Sequence, residues 1–117
     1  MLKKYIWVNG KVLPANKPVL LINEIGFLRG YGVFDFMRTY NGKIFRFADH
    51  YKRFVNSAKL LDLKVSLGEK DLASLIYKLI KRNGLKDASI RLVLSGGPAK
   101  EGINFDQKSQ TFAILVE

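Results

Sequence analysis

The sequence predicts an α+β fold, a mostly antiparallel sheet packed against two helices. Three features carry this expectation. Two Asn-Gly pairs sit between β-prone segments near the start of the chain. Two segments with helical periodicity follow one another in the middle. Two short apolar runs, Ile90–Leu94 and Thr111–Val116, close the chain. Strands, then a helical pair, then strands again is the order expected of a sheet covered on one side.

The elements follow in chain order. Tyr5-Ile6-Trp7-Val8 and Lys11-Val12-Leu13 flank Asn9-Gly10, and that dipeptide is the strongest short hairpin signal. Pro14 and Pro18 mark the loop leading to the apolar segment Val19–Ile22. Asn41-Gly42 repeats the hairpin device between Phe34–Tyr40 and Lys43–Phe47. Tyr51, Phe54, Val55, Ala58 and Leu61 then recur at helical steps, with Asp49 as the expected N-cap. Leu72, Leu75, Ile76, Leu79 and Ile80 form a second apolar stripe. Ser66 and Glu69 fit a capping box ahead of it, and Lys81, Arg82 and Gly84 fit its C-terminal end. Ile90–Leu94 runs into a Ser95-Gly96-Gly97-Pro98 turn, and Thr111–Val116 is the last strand.

A length of 117 residues implies one domain, and 48% hydrophobic residues with 8 Phe, 5 Tyr and 1 Trp supply a core. The absence of cysteine excludes a disulfide framework, a cysteine-based zinc site and a thiol nucleophile. Met1-Leu2-Lys3-Lys4-Tyr5 lacks the apolar run of a signal peptide. No apolar stretch approaches the ~20 residues needed to span a bilayer, so the expectation is a soluble, cytoplasmic protein without a membrane partner. The formal charge of +10 raises the case for an anionic ligand or nucleic acid. The lysines are spread along the chain, however, and no RNA-binding or zinc-finger motif accompanies them, which disfavours nucleic acid. No pair of His or carboxylate residues has metal-ligand spacing, so no metal is expected.

Four residues stand out chemically. His50 and Arg53 lie one turn apart at the start of the first long helix, where a guanidinium offers a bidentate donor to a phosphate. The opposing reading is a surface arginine with a packed histidine. Arg38 shares a strand face with Phe34 and Phe36 by alternation, either lining a carboxylate pocket or reaching water. Arg91 is flanked by Ile90, Leu92 and Val93 on a strand expected to be largely buried, where it would need a carboxylate or anion partner. Gly30 and Gly32 bracket Tyr31 and let the backbone bend or approach a ligand. They match neither a dinucleotide fingerprint nor a P-loop.

Taken in register, these segments resemble the N-terminal domain of the class IV, fold-type IV, pyridoxal-phosphate enzymes. That family includes branched-chain aminotransferases, D-amino-acid aminotransferases and 4-amino-4-deoxychorismate lyases. The matching text is Asn9-Gly10, Gly30-x-Gly32-Val33-Phe34-Asp35-x-x-Arg38, Tyr40-x-Gly42, His50-x-x-Arg53-Phe54, Ser57-Ala58, Asn83-Gly84-Leu85 and Ala88-x-Ile90-Arg91-Leu92. Order and gaps hold across nearly the whole chain.

The resemblance implies roles. Arg53 matches the arginine that binds the cofactor phosphate. Phe34 matches an aromatic of the substrate pocket, Arg38 an arginine behind it, and Arg91 a strand arginine of the branched-chain group. Tyr31 stands on the substrate side, where the family commonly has an acidic residue. Ser89 replaces that group's tyrosine, Asp35 replaces the usual Glu, and Arg29 stands where many branched-chain enzymes carry Tyr. Gly96 occupies the place of an arginine used by the D-amino-acid enzymes, which disfavours that substrate class.

In family members the Schiff-base lysine lies in a C-terminal domain beginning about where this sequence ends. The resemblance therefore implies that residues 1–117 are the small N-terminal domain, with no catalytic residue of their own. The intact parent would be a homodimeric pyridoxal-phosphate aminotransferase exchanging an amino group between a branched-chain amino acid and a 2-oxo acid. Its alternatives are an aminodeoxychorismate lyase-like carbon–carbon lyase, a non-catalytic binding domain and a basic nucleic-acid-binding domain.

Overall fold

A computed structural model describes residues 4–17, 20–100 and 106–117. Strands β1 (Tyr5–Val8) and β2 (Lys11–Pro14) form the first hairpin. Asn9 and Gly10 have φ of 46° and 91°, the left-handed pair that lets a two-residue turn follow the twist of its strands. Pro14 closes β2 on the outer edge of the sheet, where a missing N–H is tolerated. Pro18 of the expected loop and Val19 of the apolar segment after it lie outside the described residues.

A short helix, α1 (Ile25–Arg29), precedes β3 (Gly32–Tyr40). It has no counterpart among the sequence expectations, because five residues are too few to display a period. Asn41-Gly42 turns the chain into β4, which is only Lys43–Ile44. The strand expected to reach Phe47 stops early. Arg46 adopts a left-handed φ of 54° and becomes the N-cap of α2 (Phe47–Leu60). Asp49 is thus inside the first turn rather than capping it, and its carboxylate accepts from Arg46 Nε at 2.8 Å. Helix α3 (Glu69–Arg82) begins after Gly68, so the expected Ser66–Glu69 capping box does not form. Ser66 stands too early in the chain to serve as the cap. Glu69 and Asp71 at one end and Lys81 and Arg82 at the other complement the helix dipole instead. Strands β5 (Ser89–Ser95) and β6 (Thr111–Val116) complete the sheet.

All pairings are antiparallel, in the order β2-β1-β6-β5-β3-β4. Helix α2 packs on β3, and α3 packs on β1 and β6, all on one face of the sheet. The core fills that space. Phe54 is fully buried, its ring 5.8 Å from Phe112, and Trp7 meets Phe112 edge-on at 5.3 Å. Leu72, Ile76, Ile90, Leu92, Ile114 and Val116 surround them. The expected helix stripes are confirmed by Phe54, Ala58, Leu72, Ile76, Leu79 and Ile80, all buried.

Asn83 locks α3 to the first strand. Its Oδ1 accepts from Tyr5 N at 2.8 Å, and its Nδ2 donates to Tyr5 O and Leu79 O. The side-chain amide thus takes the place of a neighbouring strand for Tyr5. Asn83→Ala would strand both Tyr5 backbone groups, and a loss of about 1–3 kcal/mol is expected in urea unfolding. A loss below about 0.5 kcal/mol would show that water replaces the amide without penalty.

Candidate functional site

The sheet has one covered and one open face, and β3 supplies residues to both. Asp35, Met37 and Thr39 point into the helix-covered side and are buried. Phe34, Phe36 and Arg38 point the other way and are exposed. The expected alternation is therefore observed.

On the covered side, Asp35 is a carboxylate on a core-facing position, with its side chain 2% exposed. Burial alone would cost it dearly. Two residues of α2 compensate. Arg53 donates Nε to Oδ2 at 2.8 Å and Nη2 to Oδ1 at 2.9 Å, a side-on fork. His50 Nδ1 lies 2.8 Å from Oδ1. An ionised carboxylate can only accept, so this nitrogen carries the proton. Burial pushes the Asp35 carboxyl up, but the hydrogen bonds from Arg53 and His50 outweigh it and hold it below the usual carboxylate range. Asp35 in turn raises the Arg53 guanidinium further above its ordinary value.

The stability consequence has a definite sign. A depressed carboxylate contributes fully above its unfolded value of about 3.9 and loses that contribution as pH falls through the folded value. Acid unfolding curves of Asp35→Asn should therefore be flatter below about pH 4 than those of the wild type. Parallel slopes would show that the pairing does not differ between folded and unfolded chains.

Arg53 stands in the second turn of α2, its side chain 65% exposed. The fork to Asp35 uses two of its five N–H groups. The remaining edge, Nη1 and one N–H of Nη2, has no carboxylate partner among the described residues and faces outward. A guanidinium edge fixed from behind is a ready donor pair for a phosphate.

On the open face Arg38 and Arg91 stand among apolar side chains. Register places Phe36 opposite Arg91, Arg38 opposite Ser89 and Phe34 opposite Val93. Thr39 N donates toward Ala88 in the direction of β5, so its even-numbered neighbours form the closely spaced, non-hydrogen-bonded pairs of the ladder. Their side chains accordingly touch. Arg91 lies over the Phe36 ring at 5.7 Å, and Arg38 Nη1 donates to Ser89 Oγ at 3.1 Å. The expectation that Arg91 is buried is corrected: it is exposed, because it lies on the face of β5 turned away from α2 and α3. The same even-numbered residues turn their backbone N–H and C=O groups to the outer edge of β3. There β4 pairs only with Thr39 and Tyr40. Over Gly32–Phe36 this edge has no strand partner among the described residues.

Ile6, Val8, Phe27, Phe34, Val93 and Leu115 line a groove of about 450 Å³ on the open face. Glu24 holds its end together. This carboxylate is 2% exposed and accepts from the Ser95 hydroxyl, from Gly97 N at 2.9 Å and from the Thr111 hydroxyl at 2.8 Å. It ties α1 to the 95–98 turn and to the start of β6.

Phe34, Phe36, Arg38 and Arg91 are thus gathered on one face, and Arg53 lies on the other side of β3. Tyr31 is not with the first group. Its parity is that of Asp35, and its hydroxyl donates to the Leu61 carbonyl against the core. Asp35 and Glu24 were not singled out as site residues by sequence reasoning. For Asp35 a signal existed: a carboxylate with the parity of Met37 and Thr39 must face the core, and a histidine and an arginine one helical turn apart follow it. Glu24 had no such signal, since its partners are 71 to 87 residues away.

The family model for amino-transferase class IV matches residues 32–117. A D-alanine aminotransferase of Staphylococcus aureus (strain N315) is 29% identical over 110 residues, covering 94% of this chain and 39% of that protein. A probable branched-chain-amino-acid aminotransferase of Rickettsia bellii (strain RML369-C) is 35% identical over 101 residues, covering 86% of this chain and 35% of that protein. Among solved structures, the branched-chain amino acid aminotransferase from Escherichia coli superposes with a TM-score of 0.88 at 27% identity, covering 98% of this chain and 41% of that one. The T.th. branched-chain amino acid aminotransferase, complexed with N-(5'-phosphopyridoxyl)-L-glutamate, superposes with a TM-score of 0.86 at 27% identity, covering 97% of this chain and 40% of that one. The chain spans about two fifths of the length of these relatives. With both the β3-to-β6 region matched and the whole sheet superposed, the chain belongs to the amino-transferase class IV family.

Proposed function

We propose that this chain is the small N-terminal domain of a pyridoxal-phosphate aminotransferase, exchanging an amino group between a branched-chain amino acid and a 2-oxo acid. The observation that carries the reading is the outward edge of Arg53, fixed by buried Asp35, beside a β3 edge whose far face is an apolar wall.

The residues fit the cofactor's phosphate. Arg53 has N–H donors to spare, and its guanidinium is held rather than free. Bound there, pyridoxal phosphate supplies the electron sink that stabilises a carbanion at the substrate α-carbon. The chain's own residues do the rest of the holding. Arg53 binds and orients the phosphate. Phe34 and Phe36, with Val93 and Leu115 nearby, exclude water and accept an apolar side chain. Arg38 and Arg91 stand on the same face as cations for a substrate carboxylate. On this reading the amine that holds the cofactor aldehyde comes from a further domain of the parent. A homodimer in the cytoplasm is part of the same reading.

The apolar wall favours a branched-chain over a D-amino-acid substrate. Gly96 also offers no side chain, and a Cβ there would run into the Ile25 side chain. The test is amino transfer by the full-length protein with added pyridoxal phosphate, comparing leucine, isoleucine and valine with D-alanine, and 2-oxoglutarate as acceptor. The reading expects at least about tenfold higher kcat/KM for the branched-chain donors, a preference of about 1.4 kcal/mol or more. Preference for D-alanine overturns the substrate, and no transfer from any of these donors overturns the function.

A further inference from the structure

We propose that Asp35 is a positioning residue for the phosphate site: it aims the Arg53 guanidinium, and His50 holds Asp35 in place. The inference rests on the reading of Arg53 as a phosphate ligand. Arg53 sits on an exposed stretch of α2, and 65% of its side chain is open to solvent. A guanidinium on a long, mobile stem samples many rotamers, and fixing it costs free energy on binding. Here the cost is met before the ligand arrives. Asp35 takes the Nε–Nη2 side of the fork with two bonds of 2.8 and 2.9 Å. That geometry leaves a single orientation for the plane and turns the Nη1–Nη2 end outward.

Asp35 is itself held on several sides. It is part of β3, its side chain is buried, and its Oδ1 receives a second bond from His50 Nδ1 at 2.8 Å. Arg53 Nη2 and His50 Nδ1 approach to 3.3 Å as two donors sharing one acceptor. The carboxylate therefore sits at the centre of a three-residue brace spanning β3 and two turns of α2.

Two physical effects of Asp35 oppose each other, which makes the inference testable by sign. Its negative charge weakens the attraction of the site for an anion. Its fork removes the orientational cost of the guanidinium. If orientation dominates, removing the charge weakens phosphate binding; if charge dominates, the same change strengthens it. Two rigid bonds to a buried acceptor, against a repulsion acting across the guanidinium at a solvent-exposed edge, favour orientation.

The experiment compares pyridoxal phosphate with pyridoxal in the full-length protein, read by equilibrium binding, so that the phosphate preference is measured apart from activity. Asp35→Asn is expected to lower that preference about tenfold, and Asp35→Glu to restore it to within about threefold of wild type. Melting curves report whether each variant is folded. An unchanged or increased preference in Asp35→Asn overturns the proposal. Should Asp35→Asn fail to fold, Arg53→Lys decides, because it keeps the charge but has no second edge. Loss of preference as large as in Arg53→Ala supports the two-edged fork, and a wild-type preference overturns it. If Arg53→Ala itself leaves the preference unchanged, the phosphate reading fails, and that result is distinct from a failure at Asp35 alone.

Discussion

Gly97→Ala is expected to cost about 3 kcal/mol or more of folding stability. Gly97 has φ of +85°, a conformation that burdens any L-residue with roughly 1–2 kcal/mol. A Cβ there would also overlap the backbone carbonyl of Ser109, and a backbone atom cannot rotate aside as a side chain can. Such overpacking typically adds about 1–3 kcal/mol. Nor is the glycine free to move. Its N–H donates to buried Glu24, and its carbonyl accepts from Ile25 N at 2.9 Å. Any shift that relieves the overlap breaks one of these. Gly10→Ala is the control, with φ of +91° and nothing near its Cβ position. Urea unfolding of both variants should show the Gly97 penalty to be at least twice that at Gly10. Equal penalties would mean that the junction of α1, the 95–98 turn and β6 yields.

Arg53→Ala should weaken pyridoxal phosphate binding by about a hundredfold in the full-length protein, since it removes a charge-assisted donor pair to a dianion. The loss should be specific to the phosphate and leave pyridoxal affinity within about threefold of wild type. Titration with each ligand separates the two. The variant also deprives buried Asp35 of its main partner, leaving His50 alone beside it. Its acid limb should therefore move toward higher pH, because a carboxylate without its guanidinium is protonated more easily. A variant with wild-type cofactor affinity would remove Arg53 from the phosphate site.

Local signals made most of the fold legible. The two Asn-Gly turns, the helical stripes around Phe54 and Ile76, and the final strand at Thr111 each depend on residues a few positions apart. The misplaced helix starts show where such signals fail. Ser66 and Glu69 have capping-box spacing, yet the chain enters α3 through Gly68. Asp49 has N-cap chemistry, yet Arg46 takes the turn. A cap is set by the direction of the incoming chain, which the next packed element dictates. Arg91 shows the same limit for burial: Ile90 and Leu92 on either side of it face α2 and α3, and its own side chain lies on the opposite face.

For the site, the sequence by itself determined the chemistry on offer: a His–Arg pair one turn apart, a strand alternating aromatics with an arginine, and no cysteine. Residue type and strand parity depend on nothing beyond the chain itself. Only the tertiary structure decided which groups meet. It set Asp35 under Arg53 and His50, joined Glu24 to Ser95, Gly97 and Thr111, sent Tyr31 to Leu61, and put Phe36 beneath Arg91. The reason is physical. A buried carboxylate must find donors wherever the packing of sheet and helices brings them, and that packing is the sum of contacts along the whole chain.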